Sequence, residues 1–328
     1  MDSRANGRCL MNRMKWEAGD RLSPLHAGSC WADGIKGIDP LVTGLIAGPM
    51  TELVERLAAE EIDLRAFWEG LIAFSAAGYA SGNHLSDEEA CRRALLSAGA
   101  GRLTVDNLAS AAASRFSEVR LAFQEAFPKL PQQLVLRGGP LRDAWLGFGP
   151  GLLRLIGKQT HESYIPKSTT AILLSPYAGG GGSCSPASQT LWIEAVLTNP
   201  FPKLPEVLRL AWLVSRIGLA RGLSSESAIA CEDRTSPSNR GVDIGELALV
   251  PIVLQAGAEL DLLPIPADDP KTIERAAGVW CGRMDPLVLE ILSDWWRQNQ
   301  QLRPPFPIAM KALDRMLSGP VGHQPDTP

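Results

Sequence analysis

The sequence has few histidines, no paired cysteines and no excess of positive charge. It contains four histidines, and its six cysteines lie far apart without a C-x-x-C pair, so no clustered set of zinc ligands is indicated. The 32 Lys and Arg residues against 36 Asp and Glu give a net charge of −4, which disfavours binding to a phosphate backbone. No stretch reads as a membrane span of about twenty apolar residues. We therefore expect no metal, no cofactor, no nucleic-acid partner and no membrane association.

The composition is that of a globular protein. Hydrophobic residues make up 45% of the 328 residues and charged residues 21%, which is enough for a substantial core. The first residues carry charges throughout and include no apolar segment typical of a secretory signal. Together with isolated, reduced cysteines, this predicts a cytoplasmic location.

Changes in composition divide the chain into four predicted segments. Residues 1–38 are polar and aperiodic, which predicts a disordered leader, and residues 319–328 predict a disordered tail. Residues 39–130 predict a helical lobe, with a capping box at 86–89 and an apolar stripe of three- and four-residue steps over 105–127. Residues 131–318 predict the main α+β domain.

The main domain is predicted to combine a small sheet with a buried helix. Short β-rich runs at 134–137, 170–175 and 190–197 indicate three strands, which we expect to be antiparallel. The helix predicted over 205–219 is apolar nearly all round and is expected to be central, with the sheet packed on it. The fold class is therefore α+β, mainly helical. Gly179 to Gly182 predict a flexible loop between strands. A phosphate-binding loop is disfavoured, because such a loop is followed by a lysine and by the start of a helix, and neither is present here.

The chemistry-bearing residues form no complete catalytic motif. His161-Glu162 begins like H-E-x-x-H, but Ile165 stands where the second histidine belongs, while His26 lies in the predicted leader and His323 in the tail. Cys184 would need a nearby histidine to act as a nucleophile. The catalytic candidates are therefore Glu194, His161 and Cys184, and none of them is assigned a reaction.

Glu194 is the most informative single residue. Strand alternation places it on one face with Trp192 and Val196, and a carboxylate buried there needs a cation or several N–H donors. We favour a buried ion pair over a general acid or base, with Arg142, Arg154 or Arg209 as the partner. The residues assigned to binding or structural ion pairing are Arg137, Arg142, Glu206 and Arg209.

One pair of tryptophans predicts a contact surface. Most of the nine tryptophans lie in apolar contexts that favour core packing. Trp295 and Trp296, however, are adjacent on one predicted helix and are not both expected to face inward. We therefore expect one of them to be exposed and to mark a surface for a protein partner.

Two resemblances follow from longer segments. The strand–loop–strand–helix order over 170–219 resembles the scaffold of zincin metallopeptidases, although the helix contains no histidine, so the resemblance implies a relative without metal ligands. Residues 136–157 and 192–217 resemble an uncharacterised family of planctomycete-type bacterial proteins, which implies a bacterial protein. The predicted function is a non-catalytic binding or regulatory protein; the alternative is a hydrolase using Glu194 with His161 or Cys184.

Overall fold

The chain forms two compact units. The computed structural model describes residues 12–227, 243–263, 269–282 and 284–319. The sheet unit comprises Arg13–Asp143 and Ser168–Pro200, and the helical unit comprises Met1–Asn12, Ala144–Lys167 and Phe201–Pro328. The division therefore does not follow the expected boundary at 130, because residues 168–200 join the N-terminal helices in one unit.

The fold is mainly helical α+β, as the sequence predicts. The sheet unit contains β1 (Arg13–Ala18), α1 (Ser23–Ala32), α2 (Pro40–Ala59), α3 (Leu64–Ser81), α4 (Asp87–Ser97), α5 (Val105–Ala126), α6 (Leu130–Arg137), β2 (Ser168–Leu174), β3 (Gly182–Ser185) and β4 (Thr190–Glu194). The helical unit contains a 3₁₀ turn (Glu162–Tyr164), α8 (Glu206–Ser227), α9 (Ile244–Glu259), α10 (Pro270–Trp280), α11 (Pro286–Leu302) and α12 (Phe306–Ser318). The chain passes from one unit to the other within α7 (Gly139–Gln159).

The sheet is mixed, so the expectation of an antiparallel sheet is wrong. Its strand order is β1-β2-β4-β3, with β1 parallel to β2 and β2 parallel to β4. Only β3 runs antiparallel, and it pairs with β4. The long connection between β2 and β4 supplies β3 and lets the chain return in the same direction, as a parallel pair requires. The sheet contacts α3 and α6, whereas the helix predicted as its partner is α8, which packs on α9 in the helical unit.

Two further expectations about local structure are corrected. Residues 134–137 belong to helix α6, where Leu130 and Leu134 are buried at the four-residue spacing of one helix face. The segment predicted to be a disordered leader contains β1 and α1 in its described part. Strand β1 lies at the edge of the sheet and is partly exposed, so its polar sequence lacks the apolar run that is typical of a buried strand. Residues 1–11 of the leader and 320–328 of the tail lie outside the described residues.

Several locally encoded helix features are confirmed. Ser86 caps α4 by accepting a hydrogen bond from the Glu89 N–H at 3.2 Å, and the apolar stripe of α5 is buried. In α8, every residue of the segment 207–214 is buried, including the charged residue Arg209. Across the described ranges, none of the helices has the length and apolar character to cross a bilayer.

The Trp295–Trp296 pair is buried, so the expectation of an exposed tryptophan there is wrong. Only 2% of Trp295 and 3% of Trp296 are exposed. Helix α11 contacts α9, α10 and α12, so more than one of its sides is covered. The Trp295 indole N–H donates to the carbonyl of Ala309 at 2.8 Å. These two side chains therefore offer no surface to a partner.

Gly218 allows α8 to lie directly against the chain at Tyr164. A Cβ at position 218 would overlap the carbonyl group of Tyr164, and rigid backbone cannot yield as a side chain can. We expect Gly218→Ala to lower the free energy of unfolding by about 1–3 kcal/mol or more, measured by urea denaturation.

Gly278→Ala in α10 is the matched control in the same unit. Among the described residues, and apart from the chain neighbours and the backbone of α10 itself, no atom lies within 4 Å of the added Cβ, so the substitution should stabilise by about 0.5–1 kcal/mol through helix propensity. Equal effects of the two substitutions would contradict the close approach at Gly218.

Candidate functional site

Glu194 is buried at the carboxyl end of a parallel strand. It is the last residue of β4, between β2 and β3 in the sheet, and only 1% of it is exposed. An ionised carboxylate in such a position requires donors or a cation to replace its lost hydration. Every residue of β4 is buried, so both faces of the strand are covered and a polar cluster surrounds the carboxylate.

The glycine-rich loop after β2 supplies three of these donors. The backbone N–H groups of Tyr177 and Ala178 donate to Oε1 of Glu194 at 3.0 and 2.8 Å, and that of Gly180 donates to Oε2 at 2.6 Å. Gly179 and Gly180 have φ of 79° and 132°, conformations that side chains disfavour, and these let successive N–H groups turn inward. The loop thus forms an anion-binding concavity, and its anion is a side chain of the same unit.

His26 of α1 is the fourth donor. Its Nε2 lies 2.8 Å from Oε1 of Glu194, and 5% of the residue is exposed. Three of the four donors converge on Oε1, and Gly180 donates to Oε2, so both oxygens accept hydrogen bonds from the protein. Helix α1 is held in place at its start, where the Ser23 hydroxyl donates to the Gly19 carbonyl and accepts from the Ser175 N–H. The ends of β1 and β2 thereby fix the position of the imidazole.

The two partners stabilise each other's charged forms. Burial by itself lowers the pKa of His26, but Cys30 and Glu194 favour the protonated ring and raise that pKa to about 10. Burial by itself raises the pKa of Glu194, but the hydrogen bond and charge of His26, with the N–H groups of Gly180 and Ala178, hold that pKa well below its ordinary value. Both shifts favour the pair of imidazolium and carboxylate.

Cys30 completes the cluster one helical turn beyond His26. Its Sγ lies 3.7 Å from Nε2 and 3.9 Å from Nδ1 of His26, and 7% of the residue is exposed. The nearest ligand atoms of His26, Cys30 and Glu194 all lie within 4.8 Å of one another. The site thus combines an imidazole, a thiol and a carboxylate, the three side-chain types that bind zinc.

The other two catalytic candidates lie outside this cluster. His161 caps the 3₁₀ turn and is exposed, with its Nδ1 2.7 Å from the Ser163 hydroxyl. Cys184 lies on β3, paired with Leu191 of β4, and is half-buried. Neither residue is among the hydrogen-bond partners of the Glu194 carboxylate described above.

The partner of Glu194 is a histidine, so the prediction of an arginine partner is wrong. Arg142 donates to the Val135 carbonyl at 2.8 Å, and Arg154 is exposed on α7. Arg209 forms an ion pair with Glu206 at 2.8 Å within α8, where the Arg209 side chain is buried. Arg137 lies at the end of α6 and lines a cavity. The sequence therefore correctly predicts that Glu194 needs a cation, but the cation is supplied by His26 of α1.

Sequence reasoning missed His26 and Cys30 because they fall in the segment expected to be a leader. A usable signal is present, since Pro24 suits a helix start and the histidine and cysteine are four residues apart. On a helix this spacing places both side chains on one face. The missing information was that residues 23–32 are helical.

A cavity of about 270 Å³ lies beside the cluster in the sheet unit. Its wall includes residues that follow β2 and residues that follow β4, and the full lining is Ile38, Arg137, Pro176, Gly179, Ala195, Val196, Leu197, Thr198 and Pro200. The cavity therefore lies outside the carboxyl ends of parallel strands, which is where open α/β sheets bind ligands. A second cavity, of about 280 Å³, includes Asp20, Arg21 and Arg120 in its lining, and Arg120 is already paired with Asp87.

Removing the carboxylate should strongly destabilise the protein. Glu194→Ala leaves the His26 cation and three loop N–H groups buried without an acceptor, so we expect the free energy of unfolding to fall by about 3–5 kcal/mol. Chemical denaturation monitored by circular dichroism measures this loss. Glu118→Ala, which removes an exposed carboxylate paired with Arg115, should cost less than about 1 kcal/mol. A similarly small cost at Glu194 would contradict the buried cluster.

No family model, curated protein or solved structure matches the chain. The resemblances to zincin scaffolds and to planctomycete-type proteins therefore stay predictions.

Proposed function

We propose that the protein is a non-catalytic binding protein that takes a small apolar molecule with an acidic group. The observation that carries this proposal is the cavity at the carboxyl ends of β2 and β4, whose lining is apolar apart from Arg137 and Thr198. Ligand sites are typically apolar clefts with a few polar groups that fix orientation. This supports the predicted class of function and gives it a ligand chemistry.

Arg137 determines the charge of the proposed ligand. Among the residues that line the cavity, all of which the structure describes, it is the one that carries a charge. A guanidinium binds a carboxylate through two parallel N–H donors, whereas an amine would be repelled. The volume of about 270 Å³ limits the ligand to a few carbon atoms beyond its acidic group.

The walls of the cavity are built to hold their shape. The Ile38 N–H donates to the Tyr177 carbonyl at 2.8 Å, which joins the segment before α2 to the loop after β2. The same loop is fixed from the inside by Glu194, through Tyr177, Ala178 and Gly180. A pocket formed in advance binds its ligand without a large ordering cost.

The alternative, a hydrolase using Glu194 with His161 or Cys184, receives less support. A general base must reach a substrate proton, yet Glu194 is buried and both of its oxygens already accept hydrogen bonds from the protein. Cys30 and His26 also differ from a nucleophile–base pair of the triad type, in which the carboxylate and the nucleophile contact opposite ring nitrogens. Here Glu194 contacts Nε2, and Sγ of Cys30 is no nearer to Nδ1 than to Nε2.

A reducing compartment fits this proposal. The cysteines Cys30, Cys91 and Cys281, which the structure describes, are free thiols, and the first two are buried. Free thiols support the predicted cytoplasmic location.

Hexanoate should bind and hexylamine should not, because the two probes share a chain length and differ in the sign of their charge. Isothermal titration calorimetry of the full chain measures both affinities. In Arg137→Gln the affinity for hexanoate should fall at least about tenfold, since a charge-assisted hydrogen bond contributes about 1.5–3 kcal/mol.

Arg142→Gln is the matched control, because Arg142 donates to the Val135 carbonyl and does not line the cavity. It should bind hexanoate as the unmodified protein does. Absence of hexanoate binding, equal binding of hexylamine, or an unchanged affinity in Arg137→Gln would each refute the proposal.

A further inference from the structure

We propose that His26, Cys30 and Glu194 bind a zinc ion. This site is separate from the cavity that carries the proposed function, and it takes a different class of ligand. Its three residues provide one nitrogen, one sulfur and one oxygen ligand, all from buried side chains of the sheet unit.

One separation among the three ligand atoms matches zinc coordination, and the side chains must adjust to bring the other ligand atoms to the ion. With Zn–N of about 2.0–2.1 Å and Zn–S of about 2.3 Å, a tetrahedral ion separates nitrogen from sulfur by about 3.6 Å. Nε2 of His26 and Sγ of Cys30 are 3.7 Å apart. Nε2 and Oε1 of Glu194 are 2.8 Å apart while they share a proton, and they must open by about half an ångström when an ion takes its place.

The elements that carry the ligands fix them independently of the ion. His26 and Cys30 are four residues apart on α1, the spacing at which two side chains of one helix converge on a metal. Glu194 is held by the three loop N–H groups, which orient its carboxylate as outer-shell hydrogen bonds orient metal ligands. The ion would therefore replace the hydrogen bond between His26 and Glu194 and the contact between the Cys30 thiol and the His26 ring.

Gly181 leaves space beside the cluster. A Cβ at this position would lie 3.0 Å from Oε1 of Glu194 and 3.2 Å from Nε2 of His26. A larger residue would therefore press on the two atoms that must separate when the ion enters. The backbone of Gly181 also accepts the Glu194 N–H at 2.9 Å, so the glycine is fixed against the cluster.

Metal binding by the full chain tests the proposal directly. The purified protein is treated with a chelator, exchanged into clean buffer and titrated with Co²⁺, which reports thiolate ligation by an intense near-ultraviolet absorption band; Zn²⁺ is then added in competition. We expect one ion per chain, a thiolate band, and displacement of Co²⁺ by Zn²⁺.

Cys30→Ser, which keeps the size of the side chain, should abolish the thiolate band and weaken Zn²⁺ binding at least about tenfold. Loss of a residue that only hydrogen-bonds to a metal ligand already lowers metal affinity by about tenfold, and loss of a ligand should cost at least as much. Cys184→Ser, which removes a half-buried thiol outside the cluster, should bind as the unmodified protein does. Circular dichroism confirms that each variant is folded, and His26→Gln provides a second ligand variant if Cys30→Ser is not. Absence of metal binding, or equal metal binding in the ligand variants, would overturn the proposal. Hexanoate binding at the cavity is measured without metal, so neither outcome changes the test of the proposed function.

Discussion

The sheet unit depends on burying one carboxylate and surrounding it with hydrogen-bond donors. The donors to Glu194 come from α1, which follows β1, and from the loop that follows β2, while Glu194 itself ends β4. One side chain therefore ties together the carboxyl ends of three parallel strands. Because a buried charge without partners costs several kcal/mol, the positions of these chain segments are strongly coupled.

The same loop has two faces with different roles. Tyr177, Ala178 and Gly180 direct their N–H groups to the carboxylate, while the neighbouring Pro176 and Gly179 line the cavity. The cavity wall is therefore determined by an internal anion. A glycine-rich loop of this kind resembles one that binds phosphate, yet here its anion site is already filled by a side chain. The ligand site lies on the other face of the loop, where the lining is apolar.

Features of the fold that are encoded locally could be predicted from the sequence, and those that depend on pairing could not. The cap at Ser86 and the apolar stripe of α5 follow from spacing within a single helix. Strand direction is a relation between segments, and the sequences of β2 and β4 do not specify it. A short apolar run such as 134–137 also fits either a strand or a helix, and the longer context from Leu130 decides for the helix.

For the site, the sequence predicts that Glu194 needs a compensating cation but not which residue provides it. If both faces of β4 are covered, Glu194 is buried, and burial requires a compensating cation or several N–H donors. Which residue compensates the charge of Glu194 depends on where α1 lies. The position of α1 follows from the pairing of β1 with β2, a contact between segments about 150 residues apart in the sequence. A histidine satisfies the demand differently from an arginine. It can give up its proton and bind a metal, whereas a guanidinium stays charged, so the identity of the partner decides whether the cluster is limited to a structural role.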